Sequence, residues 1–350
     1  MRRFEYIDYA KGIGMLCVIW GHIMYAGWSA KMVYAFHIPL FFFLSGMVFS
    51  KDRYEGTLAF LKRRFFSLLI PYMFFSFLTW GVWVLFLSLS RQPLDGCWKP
   101  LLETFLARGS EGYLVHNVPL WFVPCLFVVE MFYFFFRGCS GRIRILIALL
   151  FALVGCWLVC DNPFYDFTTL PWSLDVAFLA FPFYAGGNIL VEKMGGLPLL
   201  MQKFSSYRGF YSCVMIGCFA FLYLGAGWNG RVTMGHALLG NSAPLFYFNA
   251  FCGIVATLLL CLWIQHVTSE RGIFRWLRWW GENSFTVMAI HNPIKGVMVL
   301  LVARLFGVLP VDVNRSVLYA FLAFVAVVLL TSLLMLCLNG FFKRLYGRKI

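Results

Sequence analysis

Residues 20–46 read WGHIMYAGWSAKMVYAFHIPLFFFLSG, and almost every side chain among them suits a lipid bilayer. Only the short segment GWSAK interrupts the stretch, which predicts two membrane helices joined by a tight turn. Two histidines, His22 and His37, nevertheless lie within it. An imidazole inside a bilayer is costly unless it has a partner or a function, so this stretch predicts a site as well as a fold.

Composition points to the same protein class. Of the 350 residues, 61% are hydrophobic and 13% are charged, against roughly 25% charged residues in a soluble domain. The net charge is +14, but Lys and Arg lie at the ends of apolar runs and form no basic domain or tail, which disfavours nucleic-acid binding. The eleven cysteines form no CxxC pair, so we predict neither a metal site nor a disulfide framework.

Ten stretches approach the roughly 20 apolar residues that a spanning helix needs. They are 9–28, 33–50, 66–90, 119–136, 143–160, 174–191, 210–228, 244–264, 284–306 and 316–338. There is no internal repeat and no linker long enough to separate soluble domains. We therefore predict an all-α integral membrane protein, a bundle of about ten transmembrane helices that forms a single domain over residues 1–350.

The basic residues predict the orientation of this bundle. If the N-terminus is cytoplasmic, the inner loops and termini hold 20 Lys and Arg and the outer loops hold only 6. Cytoplasmic loops carry such an excess of positive charge, so we predict that both termini are cytoplasmic. The longest outer loop, about 91–118, would then cover the outer end of the bundle.

The first predicted helix has a patterned face. Asp8, Lys11, Met15, Val18 and His22 are spaced by three or four residues and share this face, which we call the first-helix stripe. Lys11 and His22 are separated by about three helical turns, or roughly 16 Å. Either each polar group satisfies a neighbour, or the stripe is a polar path through the membrane. We favour the path.

The second histidine of the opening stretch, His37, begins the second predicted span. The short turn makes the first two spans antiparallel neighbours, so His22 and His37 fall at similar depth in the outer half of the membrane. Pro39 loosens the second helix beside His37. Two histidines at matching depth on adjacent helices favour a site, although a single buried histidine is more often structural.

Further polar residues lie inside the later spans, and each has two interpretations. Glu130 either packs against a cation or has a function. His291 and Lys295 either bind substrate or pair with Glu130, and Asn283 either caps a helix or belongs to the site. Two aromatic side chains either stack on a sugar or adenine ring or simply pack: Trp121 and Tyr184.

Several segments resemble the acyltransferase-3 family of bacterial membrane acyltransferases, and most closely its fucose 4-O-acetylase-like branch. The most specific are YIDYAKGIGMLCVIWGH at 6–22 and FHIPLFFFLSG at 36–46. Weaker matches follow in order along most of the chain: KRRFFSLLIPY, PLWFVPCLF, FPFYAGGNIL and LRWWGENSFTVMAIHNPI.

The resemblance implies a multi-pass enzyme of the bacterial cytoplasmic (inner) membrane. Such an enzyme moves an acyl group, usually acetyl from acetyl-CoA, to a hydroxyl of a sugar, glycan or lipid-linked glycan at the outer side. His22 matches the essential histidine of the family, Asp8 its upstream acidic position, and His37 a motif of the branch. Lys11 stands where many members have Arg, which keeps the charge but loses the bidentate geometry.

These residues suggest an acyl-transfer mechanism. His22 would be the general base on the acceptor hydroxyl, and His37 would orient His22 or polarise the thioester carbonyl. Acetyl-CoA would be a substrate and not a permanently bound cofactor. Its nucleotide would stay at the inner face, held by the Asp8–Lys11 end of the stripe and by Arg63 or Arg64, and its pantetheine arm would reach toward His22. The two arginines also fit as plain positive-inside anchors.

Two other functions remain open from the sequence. A transporter or flippase of a lipid-linked sugar would suit ten spans with interior charges, although the chain lacks the internal repeats common in transporters. A non-catalytic membrane partner could also be built on this scaffold. No GxSxG elbow or HxxxD pattern occurs, so the sequence indicates neither a serine nucleophile nor the soluble CoA-dependent acyltransferases.

Overall fold

The structure is a computed structural model that describes residues 4–50, 55–109, 112–159, 170–267 and 272–346. Within these ranges the chain is helical and contains no β-strand apart from one isolated bridge between Thr233 and Leu238. The predicted all-α class is therefore confirmed. Some of the basic residues used to predict orientation, including Arg2, Lys51 and Arg271, lie outside the described residues.

Sixteen α-helices follow one another in the described part of the chain. They are α1 (Glu5–Ile23), α2 (Trp28–Tyr34), α3 (His37–Met47), α4 (Thr57–Arg64), α5 (Ile70–Leu89), α6 (Trp98–Leu106), α7 (Phe122–Phe136), α8 (Gly141–Val159), α9 (Leu174–Lys193), α10 (Leu197–Ser206), α11 (Arg208–Asn229), α12 (Ala243–Val267), α13 (Ile273–Glu282), α14 (Ser284–Phe306), α15 (Pro310–Val313) and α16 (Val317–Tyr346). A π-helical segment, Phe65–Leu69, joins α4 to α5, and short 3₁₀ turns occupy Val118–Trp121, Pro171–Ser173 and Met234–His236.

Nine helical stretches in the described ranges are long and apolar enough to cross a membrane, which confirms a multi-pass membrane protein. They are Trp28–Met47, Thr57–Leu89, Val118–Phe136, Gly141–Val159, Pro171–Lys193, Arg208–Asn229, Ala243–Val267, Ser284–Phe306 and Val317–Leu338. The predicted span 9–28 corresponds to α1, which is not in this set. Its polar side chains, among them Asp8, Lys11 and His22, lower its hydropathy.

The polar helix α1 lies inside the bundle. It packs against α2, α3, α12, α13, α14 and α16. At its crossing with α13, the backbone of Gly281 approaches the backbone of Asp8 so closely that no Cβ would fit. Small residues at membrane helix crossings permit such close packing. As a result, α1 is surrounded by neighbouring helices instead of lipid.

The periphery of the bundle is apolar. Few side chains of α5, α8, α11 and α16 are buried, and those exposed include large apolar groups such as Leu85, Leu153, Ile216 and Leu329. A soluble protein rarely exposes so much contiguous apolar surface. These four helices therefore present the lipid-facing surface of the bundle.

The predicted second span, 33–50, is broken just before His37, where α3 begins. The preceding helix α2 takes up Trp28 to Lys31 of the predicted turn, so most of that turn is helical. Pro39 lacks an N–H group, and a proline ring also crowds the carbonyl four residues earlier, here that of Ala35. The helix is interrupted at Ala35 and Phe36, where Phe36 has φ −138° and ψ −20°. The prediction that Pro39 loosens this helix is confirmed, and the break places His37 at the first residue of α3.

Candidate functional site

A cavity of about 240 Å³ runs alongside α1. Lys11, Met15, Val18 and His22 of the first-helix stripe all line it. Its other walls come from α3, the π-helical segment, α7 and α14, and they include Ser45, Leu68, Trp121, Leu126, Ser284, Phe285 and Met288. These four residues of the stripe thus form one wall of a single cavity, with the ammonium group of Lys11 and the imidazole of His22 at the two ends of that wall.

His22 faces this space with a half-buried ring. Among the described residues no group hydrogen-bonds to its nitrogens, so both are open to a ligand or a reacting proton. The ring of His291, from α14, lies 5.6 Å from the ring of His22, centroid to centroid. Lys295, His37 and His236 also lie in the neighbourhood of His22.

His291 is fully buried and held in a defined orientation. Its Nδ1 lies 2.9 Å from the carbonyl oxygen of Val287. Because a carbonyl oxygen only accepts, Nδ1 carries the proton and Nε2 of the neutral ring is an acceptor. In the described part of the chain Nε2 has no hydrogen-bond partner. Sequence reasoning placed His291 with the substrate, and the structure places it beside His22.

His37 is also buried. Its Nδ1 lies 2.7 Å from the carbonyl oxygen of Val33, and its ring packs edge-on against Tyr34 at 5.1 Å. No hydrogen bond joins His37 to His22 within the described ranges. The only N–H of a neutral His37 ring donates to the carbonyl of Val33. His37 therefore cannot polarise a thioester carbonyl unless its ring gains a second proton.

Two histidines that sequence reasoning did not single out lie at the same end of the bundle. His236 is half-buried on the Met234–His236 turn, in a loop that Asn229 holds through hydrogen bonds with Leu239 and Ser242. His116 is buried in the loop before Val118, where burial lowers its pKa to about 4. Five of the six histidines occur in this region, although they are far apart in the sequence.

Two predicted cofactor-binding residues of α1 have different surroundings. Lys11 is half-buried and lines the cavity. Asp8 is buried one turn earlier, where its backbone packs against Gly281 of α13, and it does not line the cavity. The end of the cavity at Lys11 therefore presents a cation to a bound molecule.

The predicted arginines also differ. Nε of Arg64 lies 2.8 Å from Oε2 of Glu130, and the Glu130 side chain is only 3% exposed. Glu130 therefore packs against a cation, and that cation is neither His291 nor Lys295. Arg63 is exposed on α4, and neither arginine lines the cavity.

The remaining predicted site residues fall at three places. Trp121 lines the cavity and packs against the backbone of Gly235. Tyr184 is fully buried beside Tyr133, with ring centroids 5.0 Å apart, and interacts with Glu130 instead of lining the cavity. Asn283 occupies the N-cap position of α14, but its side chain makes no cap hydrogen bond and instead donates to the carbonyl of Trp279 at 2.8 Å.

The sequence profile of one family, described as "Acyltransferase domain", matches residues 4–336. The chain belongs to the acyltransferase-3 family. This match spans nearly the whole chain and includes every predicted site residue, which confirms the resemblance and makes the protein a membrane acyltransferase by family. No curated protein and no solved structure matches the chain significantly.

Among the described residues, no three His, Cys, Asp or Glu side chains are grouped as a metal site would need. A neutral histidine ring has one nitrogen that can accept a proton or a hydrogen bond.

Proposed function

We propose that this protein transfers an acetyl group from acetyl-CoA to a hydroxyl of a cell-surface or lipid-linked sugar, with His22 as general base. The observation that carries the proposal is the cavity along α1, because it joins Lys11 to His22 over roughly 16 Å. A long, thin substrate with an anionic end and a reactive end fits this arrangement. Acetyl-CoA has both ends.

The size of the cavity suggests which part of acetyl-CoA it holds. About 240 Å³ is less than the roughly 300–1,000 Å³ of typical small-molecule pockets. It suits a pantetheine arm and leaves the nucleotide outside, beyond Lys11. The amino end of α14, with Ser284 in the cavity wall, adds favourable partial positive charge near a phosphate. Arg64 is paired with Glu130, and Arg63 on α4 is a second candidate for a phosphate contact.

At the other end, His22 meets the thioester and the acceptor. His22 takes the proton of the acceptor hydroxyl while the hydroxyl oxygen attacks the thioester carbonyl. A C–O bond forms and the C–S bond breaks, and the proton then passes from His22 to the sulfur. The products are the acetyl ester and free CoA. His291, fixed by Val287, would position the imidazole of His22 for both proton transfers.

Replacing His22 tests this mechanism. We expect His22→Ala to lower the ester-linked acetate on surface glycans by about 10²–10⁴-fold, the usual contribution of a general base. The assay is mass spectrometry of glycans from cells in which the variant is the only copy, with protein level measured in the same membranes.

His266→Ala is the matched control, because His266 is exposed near the carboxyl end of α12 and outside the cavity. Acetate should be unchanged in this variant. Unchanged ester-linked acetate on the glycans of cells that make only His22→Ala would refute the proposed enzymatic function. Lost acetate with normal export of the glycan would refute the alternative function as a sugar transporter.

A further inference from the structure

A second cavity, of about 440 Å³, lies beside α5, α14 and α16. The carboxyl-terminal half of α14 lines it, from Asn292 to Leu300, whereas the amino-terminal part of the same helix lines the first cavity. His291 lies between these two sets of residues in sequence. The volume is within the range of roughly 300–1,000 Å³ that holds a small-molecule ligand.

The wall of the second cavity includes polar groups. Lys295 lies in its wall, half-buried, and no described carboxylate is within ion-pair distance of its ammonium group. His116 also lines the cavity and is only 4% exposed, yet neither of its ring nitrogens has a hydrogen-bond partner in the described ranges. A half-buried cation and a buried imidazole without protein partners in the described ranges are suited to the oxygens of an anionic ligand.

Other parts of the wall of the second cavity are apolar and reach the lipid-facing surface. Val82 and Phe86 of α5 are 49% and 45% exposed, and Val297 and Leu300 of α14 are 50% and 45% exposed. All four lie on spanning helices, where exposed side chains face lipid chains. A ligand with a hydrocarbon tail can therefore enter sideways from the bilayer.

We infer that the second cavity binds the acceptor as a lipid-linked sugar phosphate, with its hydrocarbon chain between α5 and α14 and its phosphate at Lys295 and His116. This inference rests on the proposed function. Lys295 lies one turn after His291, whose ring is 5.6 Å from that of His22. A sugar attached to a phosphate at Lys295 is thus close enough to bring a hydroxyl to His22.

Binding of a long-chain polyprenyl phosphate to the purified full-length protein tests the inference, with native mass spectrometry as the readout. We expect Lys295→Met to weaken binding at least tenfold and Lys295→Arg to retain most of it. Gly296→Leu provides a second variant that keeps Lys295. Gly296 lines the cavity and a Cβ there meets nothing within 4 Å, so the added side chain should narrow the cavity without disturbing the fold.

Two matched controls accompany these variants. Lys99→Met removes an exposed lysine of α6, and Gly217→Leu adds the same side chain to an equally open glycine of α11. Both should bind the polyprenyl phosphate as the wild type does. Equal binding of the dephosphorylated polyprenol, or equal binding by Lys295→Met, would overturn the phosphate site.

Competition identifies the source of the phosphate. Phosphatidylglycerol in tenfold excess should displace little of the polyprenyl phosphate, and complete displacement would mean a general phospholipid site and overturn the acceptor assignment. His22→Ala should bind the probe normally. A His22→Ala protein that still transfers acetate would refute the proposed function, whereas unaltered probe binding by Lys295→Met would refute only this inference.

Discussion

The ion pair between Arg64 and Glu130 allows an experiment to decide whether Arg64 stabilises the fold or binds acetyl-CoA. Both side chains are largely buried, at 17% and 3% exposed. Removing one partner of a buried pair leaves an uncompensated charge, whereas replacing both with apolar groups is often neutral. We therefore expect Arg64→Met or Glu130→Leu alone to lower the free energy of unfolding by about 3–5 kcal/mol.

The double variant Arg64→Met/Glu130→Leu should recover most of that stability, as measured by chemical unfolding in detergent. The Michaelis constant for acetyl-CoA should match that of the wild type in the double variant. A double variant that is stable but binds acetyl-CoA tenfold more weakly would instead show that Arg64 contributes to binding acetyl-CoA.

At the scale of the element, α14 lacks one helical hydrogen bond, and a side chain from outside the helix replaces it. Pro293 has no N–H, so the carbonyl of Ala289, four residues earlier, loses its helical partner. Nδ2 of Asn117 donates to that carbonyl at 2.7 Å. The loop before α7 is thereby attached to α14 two residues from His291, which links the position of His116 and Asn117 to that of the site.

Removing this attachment should destabilise the helix. We expect Asn117→Ala to lower the free energy of unfolding by about 1–3 kcal/mol, because it leaves a buried carbonyl unpaired. In a Pro293→Ala background the new amide N–H can bond with Ala289, so the same change should cost much less. Thermal unfolding of the four proteins of this double-mutant cycle measures the difference, and equal costs in both backgrounds would contradict the explanation.

At the scale of the whole molecule, the orientation of the bundle is a prediction from charge alone. Arg91, just after α5, should lie outside, and Lys62, on α4, should lie inside. Both side chains are exposed, so a cysteine at either position can react. In intact cells a membrane-impermeant maleimide should label Arg91→Cys above the wild-type background and Lys62→Cys only after permeabilisation. The reverse labelling pattern would mean that the bundle has the opposite orientation in the membrane.

Local spacing made part of this molecule predictable. Lys11, Met15, Val18 and His22 belong to one helix, and the 3.6-residue period alone places them on one face, which lines the first cavity. The break before His37 was likewise predictable, because Pro39 acts within one turn.

The partners across helices were not predictable in this way. His291 lies beside His22, and Arg64 pairs with Glu130, but these pairs depend on which helices are neighbours in the bundle. Hydrophobic periodicity says which residues leave water, and it does not say which helix each one meets. Tight turns identify neighbours only for consecutive helices, so His37 was the partner that the sequence suggested for His22.

The polar character of α1 has a consequence for how the protein is made. Charged residues within a spanning segment cost about 2.5–3.5 kcal/mol each during insertion when they lie near its centre. The helices that surround α1 include α12, α13, α14 and α16, which are synthesised long after it. Helix α1 therefore reaches its final surroundings only after these later helices have been made, and a chain truncated before α12 would expose the first-helix stripe to lipid or to the quality-control machinery.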